Sequence, residues 1–247
     1  MNPHQTQLTN APEWLLEWQM TNCERLALTK VLERVQPEVS LEIGTYRGGS
    51  LQVLAQLSKR VIAVDIDPAV AQLLDGKFPN VEFRCGDSRD LLPAVIGELN
   101  AAEGRTGFVL IDGDHSADGV CRDIDAVLKL KPKGRVVIIL HDSFNPECRA
   151  GMRRAAWAAC PYVQFVELDF VPGVYHYEAH DTAEARSMWG GFACSVLEPE
   201  PRTGALSIGE SQRGLFEAVF RDSSHAASKT PGLAWRSLRK LKRMVRG

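Results

Sequence analysis

Two short clusters of acidic and histidine residues carry the side chains best suited to chemistry. Asp112 and His115 lie in the first cluster, His141 and Asp142 in the second, and each cluster follows an apolar run. Histidine has an unperturbed pKa of about 6.5, so His115 is a candidate general base. Carboxylates are ligands that Mg²⁺ prefers, so Asp112 and Asp142 are candidate metal ligands. His141 is a third candidate that suits Mn²⁺, Zn²⁺ or Fe²⁺ better than Mg²⁺.

Each of these residues also has a structural alternative. Asp112 could hydrogen-bond the loop that follows its strand, and Asp114 could cap the next helix. His141 could orient a neighbouring side chain rather than bind a ligand. His115 could bind substrate or serve the structure alone. The residue types leave both kinds of role open.

A glycine-rich loop follows the first predicted strand, at residues 42–50. A dinucleotide-binding loop needs glycine at the position of Tyr46, so that the backbone can approach the pyrophosphate. The lysine of a P-loop is also missing from this segment. The loop therefore favours a nucleoside ligand without phosphates over NAD or ATP.

Acidic residues also end the second and third predicted strands. Asp65 is placed to accept hydrogen bonds from both ribose hydroxyls of a nucleoside, with helix capping as its alternative. Asp67 is predicted to be a helix N-cap. Asp87 is a candidate for contact with the adenine amino group, although Asp87 or Ser88 could instead cap the next helix.

An alternation of apolar strands and helices positions these residues. The predicted strands cover 39–43, 61–64, 81–84, 108–111 and 135–140, and the predicted helices cover 14–35, 50–57, 68–74, 91–99, 117–130 and 149–159. This pattern predicts a parallel sheet with helices on both faces, where ligands bind at the carboxyl ends of the strands. Two further runs, 163–171 and 192–197, lack a crossover helix and predict an antiparallel pair at one sheet edge.

This ordered set of residues resembles the class I S-adenosylmethionine-dependent methyltransferases. The match consists of Glu42-x-Gly44-x-x-x-Gly48, then Asp65, then Gly86-Asp87, and it covers residues 39–142. The resemblance implies an α/β, Rossmann-like, doubly wound sheet of seven mostly parallel strands with an antiparallel edge strand. It also implies a set of residues that bind S-adenosyl-L-methionine: Glu42, Gly44, Tyr46, Gly48, Ser50, Asp65, Asp87, Ser88 and Asp112.

The acidic and histidine clusters resemble those of the macrocin and rhamnosyl O-methyltransferases and their cephalosporin-hydroxylase relatives. In that group an Asp after the fourth strand and an acidic pair after the fifth bind a metal. A His three residues beyond the first Asp is the base, and Asp112 and His115 have that spacing. His141 stands where the group carries Glu or Asp, so metal dependence stays open.

We therefore expect an enzyme that methylates a hydroxyl on a sugar, polysaccharide or glycosylated natural product. A hydroxyl has a high pKa, so either His115 as base or a divalent cation such as Mg²⁺ on Asp112, His141 and Asp142 would assist the transfer. The alternatives are a metal-independent N- or O-methyltransferase of another small molecule and a non-catalytic nucleoside-binding scaffold. Polar and aromatic residues are candidates for the acceptor wall: Asn145, Arg149, Tyr175, His176, His180, Met188 and Trp189.

Composition and charge limit the remaining classes. The 247 residues are 45% hydrophobic and 24% charged, as is typical of a globular protein. The net charge of −2 conceals seven basic and no acidic residues from position 229 onward, against 22 basic and 31 acidic residues elsewhere. We expect an N-terminal helical cap at 1–37, a methyltransferase domain at 38–200 and a C-terminal extension at 201–247 with a basic amphipathic helix at 233–245.

Localisation and partners follow from the same pattern. No run approaches the roughly 20 apolar residues of a membrane span, and the polar N-terminus does not resemble a signal peptide. Six scattered cysteines without a Cys-x-x-Cys pair predict reduced thiols and a cytoplasmic protein. The basic helix could contact an anionic membrane surface, pack against a second subunit in a homo-oligomer, or stay solvated. Nucleic-acid binding is not expected, because the body lacks a basic, aromatic-rich surface.

Overall fold

A computed structural model describes residues 16–74, 76–176 and 185–227. The strands are β1 Val39–Ile43, β2 Arg60–Asp65, β3 Val81–Cys85, β4 Thr106–Ile111, β5 Val136–His141, β6 Val163–Val171, β7 Val174–Tyr175, β8 Met188–Trp189, β9 Phe192–Leu197 and β10 Ile208–Gly209. The helices are α1 Asn22–Val35, α2 Gly49–Leu57, α3 Pro68–Leu74, α4 Ser88–Ala101, α5 Ala117–Val127, α6 Pro146–Arg154, α7 Arg213–Asp222 and α8 Ser224–Ala227, with a 3₁₀ turn at Trp157–Ala159.

The main sheet has the order β10-β6-β9-β5-β4-β1-β2-β3. All its strands are parallel except β9, which pairs antiparallel with both β5 and β6. The α/β fold and the antiparallel pair at one end of the sheet are confirmed. The antiparallel strand itself, β9, is the third strand from that end and pairs with β6 on one side and β5 on the other. An eighth strand, β10, adds two residues beyond β6; a pair this short has no pattern that predicts a strand.

Side chains on both faces of the sheet are buried, as the apolar strands predict. In β4, Val109 and Ile111 contribute to one hydrophobic cluster with α4 and α5, whereas Phe108 and Leu110 contribute to the other with α1 and α2. Successive residues of a strand point to opposite faces, so each central strand joins two helical layers. This close packing on both faces holds the central strands, and so the residues that follow their carboxyl ends, in fixed positions.

Helix α1 begins at Asn22, later than the predicted start at residue 14. Thr21 and Glu24 form a capping box, in which each side chain bonds the backbone N–H of the other residue, and this signal fixes the helix start. The segment before it lies against α2: a Cβ at Gly49 would lie 2.6 Å from the Glu17 carbonyl oxygen. Only glycine allows this close approach.

The chain forms two compact units. Among the residues that the structure describes, the first unit comprises the chain up to Val174 together with Trp189–Ser211, and the second comprises residues 175–176, 185–188 and 212–227. The predicted segments 1–37, 38–200 and 201–247 divide the chain differently and stay a prediction. The predicted basic helix at 233–245 lies outside the described residues, so its membrane or subunit contact also stays a prediction. None of the helices that the structure describes is long and apolar enough to cross a membrane.

A buried ion pair ties α6 to the edge of the sheet. The Arg149 guanidinium donates to both carboxylate oxygens of Asp169 on β6, at 2.7 and 3.1 Å, and to Glu210 at 2.9 Å. Arg149 is 1% exposed. A bidentate pair of this kind fixes the geometry of both partners, so Arg149 is a structural residue and not part of an open acceptor wall.

We expect Arg149→Met to destabilise the fold by about 3–5 kcal/mol, because Asp169 would lose its cationic partner while staying buried. Methionine preserves most of the side-chain volume, so the change isolates the charge. Urea unfolding measures the effect. Arg154→Ala is the matched control, since Arg154 pairs with Asp118 at the exposed surface, and its stability should equal that of the wild type. Equal stability of Arg149→Met and wild type would contradict the argument.

Candidate active site

The glycine loop between β1 and α2 lies directly against the end of β4. Gly44 has φ +86°, and a Cβ at this position would lie 2.1 Å from the Asp112 carbonyl oxygen, so only glycine fits. Gly48, with φ +81°, directly precedes α2. Tyr46 lies between them with φ +51° and a half-exposed side chain. The two glycines therefore bring the loop against β4, and their contact with the cofactor stays a prediction.

Glu42 lies fully buried beneath this loop. Its carboxyl group accepts hydrogen bonds from the Thr45 hydroxyl at 2.9 Å and the Ser50 hydroxyl at 2.6 Å. Burial raises the pKa of Glu42 to about 8 despite these two hydrogen bonds, because a charged carboxylate is poorly solvated there. The raised pKa favours the neutral form of the Glu42 carboxyl at pH 7, and the Ser50 hydroxyl bonds this carboxyl directly.

Asp65 braces the loop from the end of β2. One carboxylate oxygen accepts from the backbone N–H groups of Thr45 and Tyr46, at 2.8 and 2.9 Å, and the other accepts from the Asp67 N–H at 2.9 Å. Asp67 in turn accepts from the Ala69 N–H at 2.9 Å, which confirms its predicted capping role. The ribose contact of Asp65 stays a prediction, and the structure adds a loop-bracing role that the residue spacing did not reveal.

The residues after β3 begin a helix, which agrees with the capping role that the sequence analysis offered as the alternative to an adenine contact. Asp87 is the N-cap of α4 and accepts from the Arg89 N–H at 2.9 Å. The Ser88 hydroxyl donates to Asp123 at 2.7 Å. Asp123 is 1% exposed, and burial raises its pKa to about 6. Sequence reasoning missed Asp123, because an acidic residue inside a helix usually predicts a solvated face. The adenine contacts of Asp87 and Ser88 stay predictions.

The two acidic and histidine clusters meet at the ends of β4 and β5. The Nε2 atom of His115 lies 3.5 Å from an Asp112 oxygen and 3.3 Å from an Asp142 oxygen. The Nδ1 atom of His141 lies 3.0 Å from the same Asp112 oxygen, Oδ1. All four residues are therefore neighbours, as expected for residues that follow the carboxyl ends of two adjacent parallel strands. Asp114 instead accepts from the Ser116 N–H at 2.9 Å beside the start of α5.

Mutual charge sets the protonation of this cluster. Burial alone disfavours the charged forms, but the neighbouring carboxylates outweigh it and raise the pKa of both His115 and His141. His141 holds the pKa of Asp112 well below its usual range, whereas burial raises the pKa of Asp142. Each imidazole therefore lies beside carboxylates that stabilise a proton bound to its ring.

Three of these residues could also hold a cation. Among the described residues, ligand atoms of Asp112, His115 and Asp142 all lie within 4.8 Å of one another. His141, the third ligand that the sequence predicts, does not belong to this group of three, and its Nδ1 atom bonds Asp112. The ligand set is thus two carboxylates and one imidazole, which suits Mn²⁺, Fe²⁺ or Zn²⁺ as well as Mg²⁺.

Glu24 completes the cluster from α1, outside every sequence motif assigned to chemistry. It is 1% exposed; one carboxylate oxygen accepts from the Gly191 N–H at 2.5 Å and lies 3.3 Å from Nε2 of His141. The neighbouring Gly190 N–H donates to Asp142 at 2.6 Å. The sequence analysis did not single out Glu24. Its only local signal is the Thr21-x-x-Glu24 spacing of a capping box, which accounts for a helix start and gives no sign of a second role.

Several residues of the predicted acceptor wall have structural contacts, and their contact with an acceptor stays a prediction. Asn145 caps α6 by accepting from the Glu147 N–H at 2.9 Å, and Met188 is fully buried. The Tyr175 hydroxyl donates to the Asp222 carbonyl oxygen. Two of the described candidates contact cluster residues. The Trp189 ring centroid lies 5.8 Å from that of His115 in an edge-to-face arrangement, and the Asn145 N–H donates to the Asp142 carbonyl oxygen at 2.9 Å. His180 lies outside the described residues, and His176 forms backbone hydrogen bonds with residues 186 and 187.

Comparisons with known proteins agree with this geometry. Residues 41–143 match the protein family described as "Methyltransferase domain", and a comparison with curated protein sequences gave no match. The fold is similar to that of an O-methyltransferase from Bacillus cereus in complex with SAH, with 20% identity and a TM-score of 0.54 over 76% of this chain and 84% of that chain. It is also similar to TomG, an O-methyltransferase from Streptomyces achromogenes involved in tomaymycin synthesis and solved with SAM, with 18% identity and a TM-score of 0.53 over 72% and 81%.

The sheet order, the glycine loop and the family match agree on one class of protein. The chain has an α/β, Rossmann-like methyltransferase fold, and its residues 41–143 match a methyltransferase domain. The resemblance to the macrocin and rhamnosyl group is finer than this class and stays a prediction.

We expect Glu42→Gln to remove part of the pH dependence of stability. The carboxyl ionises at its ordinary pKa of 4.5 in the unfolded chain but only at about 8 in the folded chain. Its stabilising contribution is therefore complete below about pH 4.5 and is lost as the pH rises to about 8, a change on the order of 5 kcal/mol.

Urea unfolding at pH 5 and pH 8.5 measures this difference. Wild type should lose more stability between the two pH values than Glu42→Gln does. Glu82→Gln, at an exposed ion pair with Arg60, is the control and should behave as wild type. If Glu42→Gln loses as much stability as wild type, the carboxyl is not protonated in the folded chain.

Proposed function

We propose that the protein is an O-methyltransferase, which transfers the methyl group of S-adenosyl-L-methionine to a hydroxyl of a small-molecule or carbohydrate acceptor. The observation that carries the proposal is His115, which lies between Asp112 and Asp142 beside the glycine loop. The O-methyltransferases of similar fold support the proposal. The acceptor class follows from Trp189, whose ring beside His115 suits a sugar or aromatic ring.

In the proposed reaction, the acceptor oxygen attacks the methyl carbon in line with the departing sulfur. The new C–O bond forms as the C–S bond breaks, and the electron pair of that bond stays on sulfur, which becomes the neutral thioether of S-adenosylhomocysteine. The hydroxyl proton passes to Nε2 of His115. Asp112 and Asp142 stabilise the resulting imidazolium, since both carboxylates lie near that nitrogen.

A divalent cation is the second candidate assistant, and the donor set of Asp112, His115 and Asp142 fits one. When bound, such a cation lowers the pKa of an acceptor hydroxyl. The two modes exclude each other at one atom, because Nε2 of His115 cannot both bind a cation and accept a proton. This exclusivity makes the modes separable by experiment.

The first prediction concerns cofactor binding, measured by isothermal titration with S-adenosylhomocysteine. Asp65→Ala should weaken binding about 10- to 100-fold, because two ribose hydroxyls would lose their acceptor and the loop its brace, which corresponds to about 1.4–2.8 kcal/mol. Asp67→Ala, a cap of the adjacent helix, is the control and should bind as wild type. No binding of wild type at millimolar ligand would overturn the proposed function; unchanged affinity of Asp65→Ala would remove the ribose role alone.

The second prediction separates the base from the cation, once a screen of radiolabelled methyl transfer has identified an acceptor. If His115 is the base, activity persists in EDTA, and His115→Gln lowers kcat by about 10²- to 10⁴-fold. If a cation assists, EDTA abolishes activity and added Mg²⁺ or Mn²⁺ restores it. Cofactor binding without transfer to any acceptor would favour the scaffold alternative instead.

A further inference from the structure

Glu24 forms more contacts than a helix cap requires. One carboxylate oxygen, Oε2, accepts from the Thr21 N–H at 2.5 Å, which completes the capping box. The other, Oε1, faces away from the helix start and accepts from the Gly191 N–H at 2.5 Å. The residue is almost fully buried, whereas a capping carboxylate needs only one of its oxygens. The second oxygen therefore has a separate role.

The surroundings of Glu24 admit a carboxylate but not an amide. Thr21 and Gly191 present N–H donors to opposite oxygens, so both side-chain atoms must be acceptors. Glutamine would place its NH₂ group against one of these donors. Aspartate is one methylene too short to reach the same partners from the same helix position. The site thus demands the residue type that the chain carries.

The second oxygen also faces the active-site cluster. It lies 3.3 Å from Nε2 of His141, an ion-pair distance without the direction of a hydrogen bond. The opposite nitrogen of the same ring, Nδ1, lies 3.0 Å from Asp112, and Asp112 neighbours His115. His141 therefore lies between two carboxylates, one from α1 and one from β4, which together determine the orientation of its ring.

A tight turn links Glu24 to the other side of the cluster. Gly190 and Gly191 have φ values of +70° and +80°, and their consecutive N–H groups donate to Asp142 and Glu24 respectively. Trp189 directly precedes this turn and contacts His115. A substitution at Glu24 would thus affect both histidines. It would affect His141 directly, and His115 through the Gly190-Gly191 turn and Trp189.

We propose that Glu24 is a positioning residue of the active site, which holds the His141 ring with Nδ1 toward Asp112 and fixes the Gly190-Gly191 turn beside Asp142. The expected effect of Glu24 on turnover rests on the proposed function, because Glu24 would act through Asp112 and His115. The effect of Glu24 on the His141 ring is independent of the proposed function, since it exists without cofactor or acceptor. The two can therefore fail independently.

Imidazole NMR tests the proposal on the full chain without any ligand. In protein labelled with ¹⁵N-histidine, long-range ¹H–¹⁵N spectra show which ring nitrogens carry protons, and a His141→Gln sample assigns the His141 signals. Wild type should show a proton on Nε2 of His141 that is protected from exchange with water. Glu24→Gln should shift this signal and speed its exchange at least tenfold, because the carboxylate facing it is gone.

Thr21→Ala is the matched control. It removes the hydroxyl that bonds the Glu24 N–H at 3.3 Å and so weakens the helix cap, but it leaves Oε1 of Glu24 in place. The His141 signals should stay as in wild type. Unchanged signals in Glu24→Gln, or equal changes in both variants, would mean that Glu24 only begins the helix. If Glu24→Gln does not fold, the wild-type spectrum decides: a proton-free or unprotected Nε2 overturns the proposal.

Turnover gives a second readout when an acceptor is in hand. Glu24→Gln should lower kcat at least tenfold, while its affinity for S-adenosylhomocysteine should stay within twofold of wild type, because Glu24 contacts no predicted cofactor residue. Thr21→Ala should retain wild-type kcat. Equal kcat in wild type and Glu24→Gln would overturn the positioning role, whereas loss of S-adenosylhomocysteine binding in wild type would count only against the proposed function.

Discussion

A group of buried carboxyl side chains at the carboxyl ends of β1, β4 and β5 is the constraint on which the site depends. Glu24, Glu42 and Asp142 are at most 4% exposed, and Asp112 lies among them. Several carboxylates so close together repel one another and lose their hydration, so each needs a partner or a proton. Glu42 is neutralised by a proton and by two hydroxyl donors. The other three depend on two imidazoles and the N–H groups of a glycine turn.

This compensation explains why helix α1 and the turn before β9 belong to the site although neither follows a parallel strand. The carboxyl ends supply acids, and an uncompensated acidic cluster would not stay folded. Partners from outside the parallel strands supply this compensation: the Gly190 N–H donates to Asp142, and the Gly191 N–H donates to Glu24 from α1. The glycines are required at the turn because both have positive φ and because a Cβ at Gly190 would lie 2.8 Å from Glu24.

The sequence predicted the parts whose physics is local. Apolar runs of strand length indicated β1 to β5, and the residues that follow strand ends were brought together because parallel strands share one edge. The position of β9 within the sheet and the strand β10 escaped prediction, since each depends on partners distant in the chain. The start of α1 was predicted too early, although the capping box of Thr21 and Glu24 that fixes it is local. Glu24 and Asp123 escaped for a related reason. Each lies in a helix, where local pattern assigns an acidic residue to a cap or to solvent, and only tertiary contacts reveal that both are buried.

The charge balance of the cluster also bears on the proposed chemistry. S-adenosylmethionine carries a positive sulfonium that becomes a neutral thioether during transfer, so positive charge on sulfur falls in the transition state. An uncompensated group of carboxylates would stabilise the sulfonium of the bound substrate more than the transition state, which would slow the reaction. The protonated Glu42 and the raised pKa of His141 limit that effect. Asp112 and Asp142 remain directed at His115, where charge increases if this residue accepts the proton. The same compensation that permits burial therefore places the negative charge where the proposed transition state can use it.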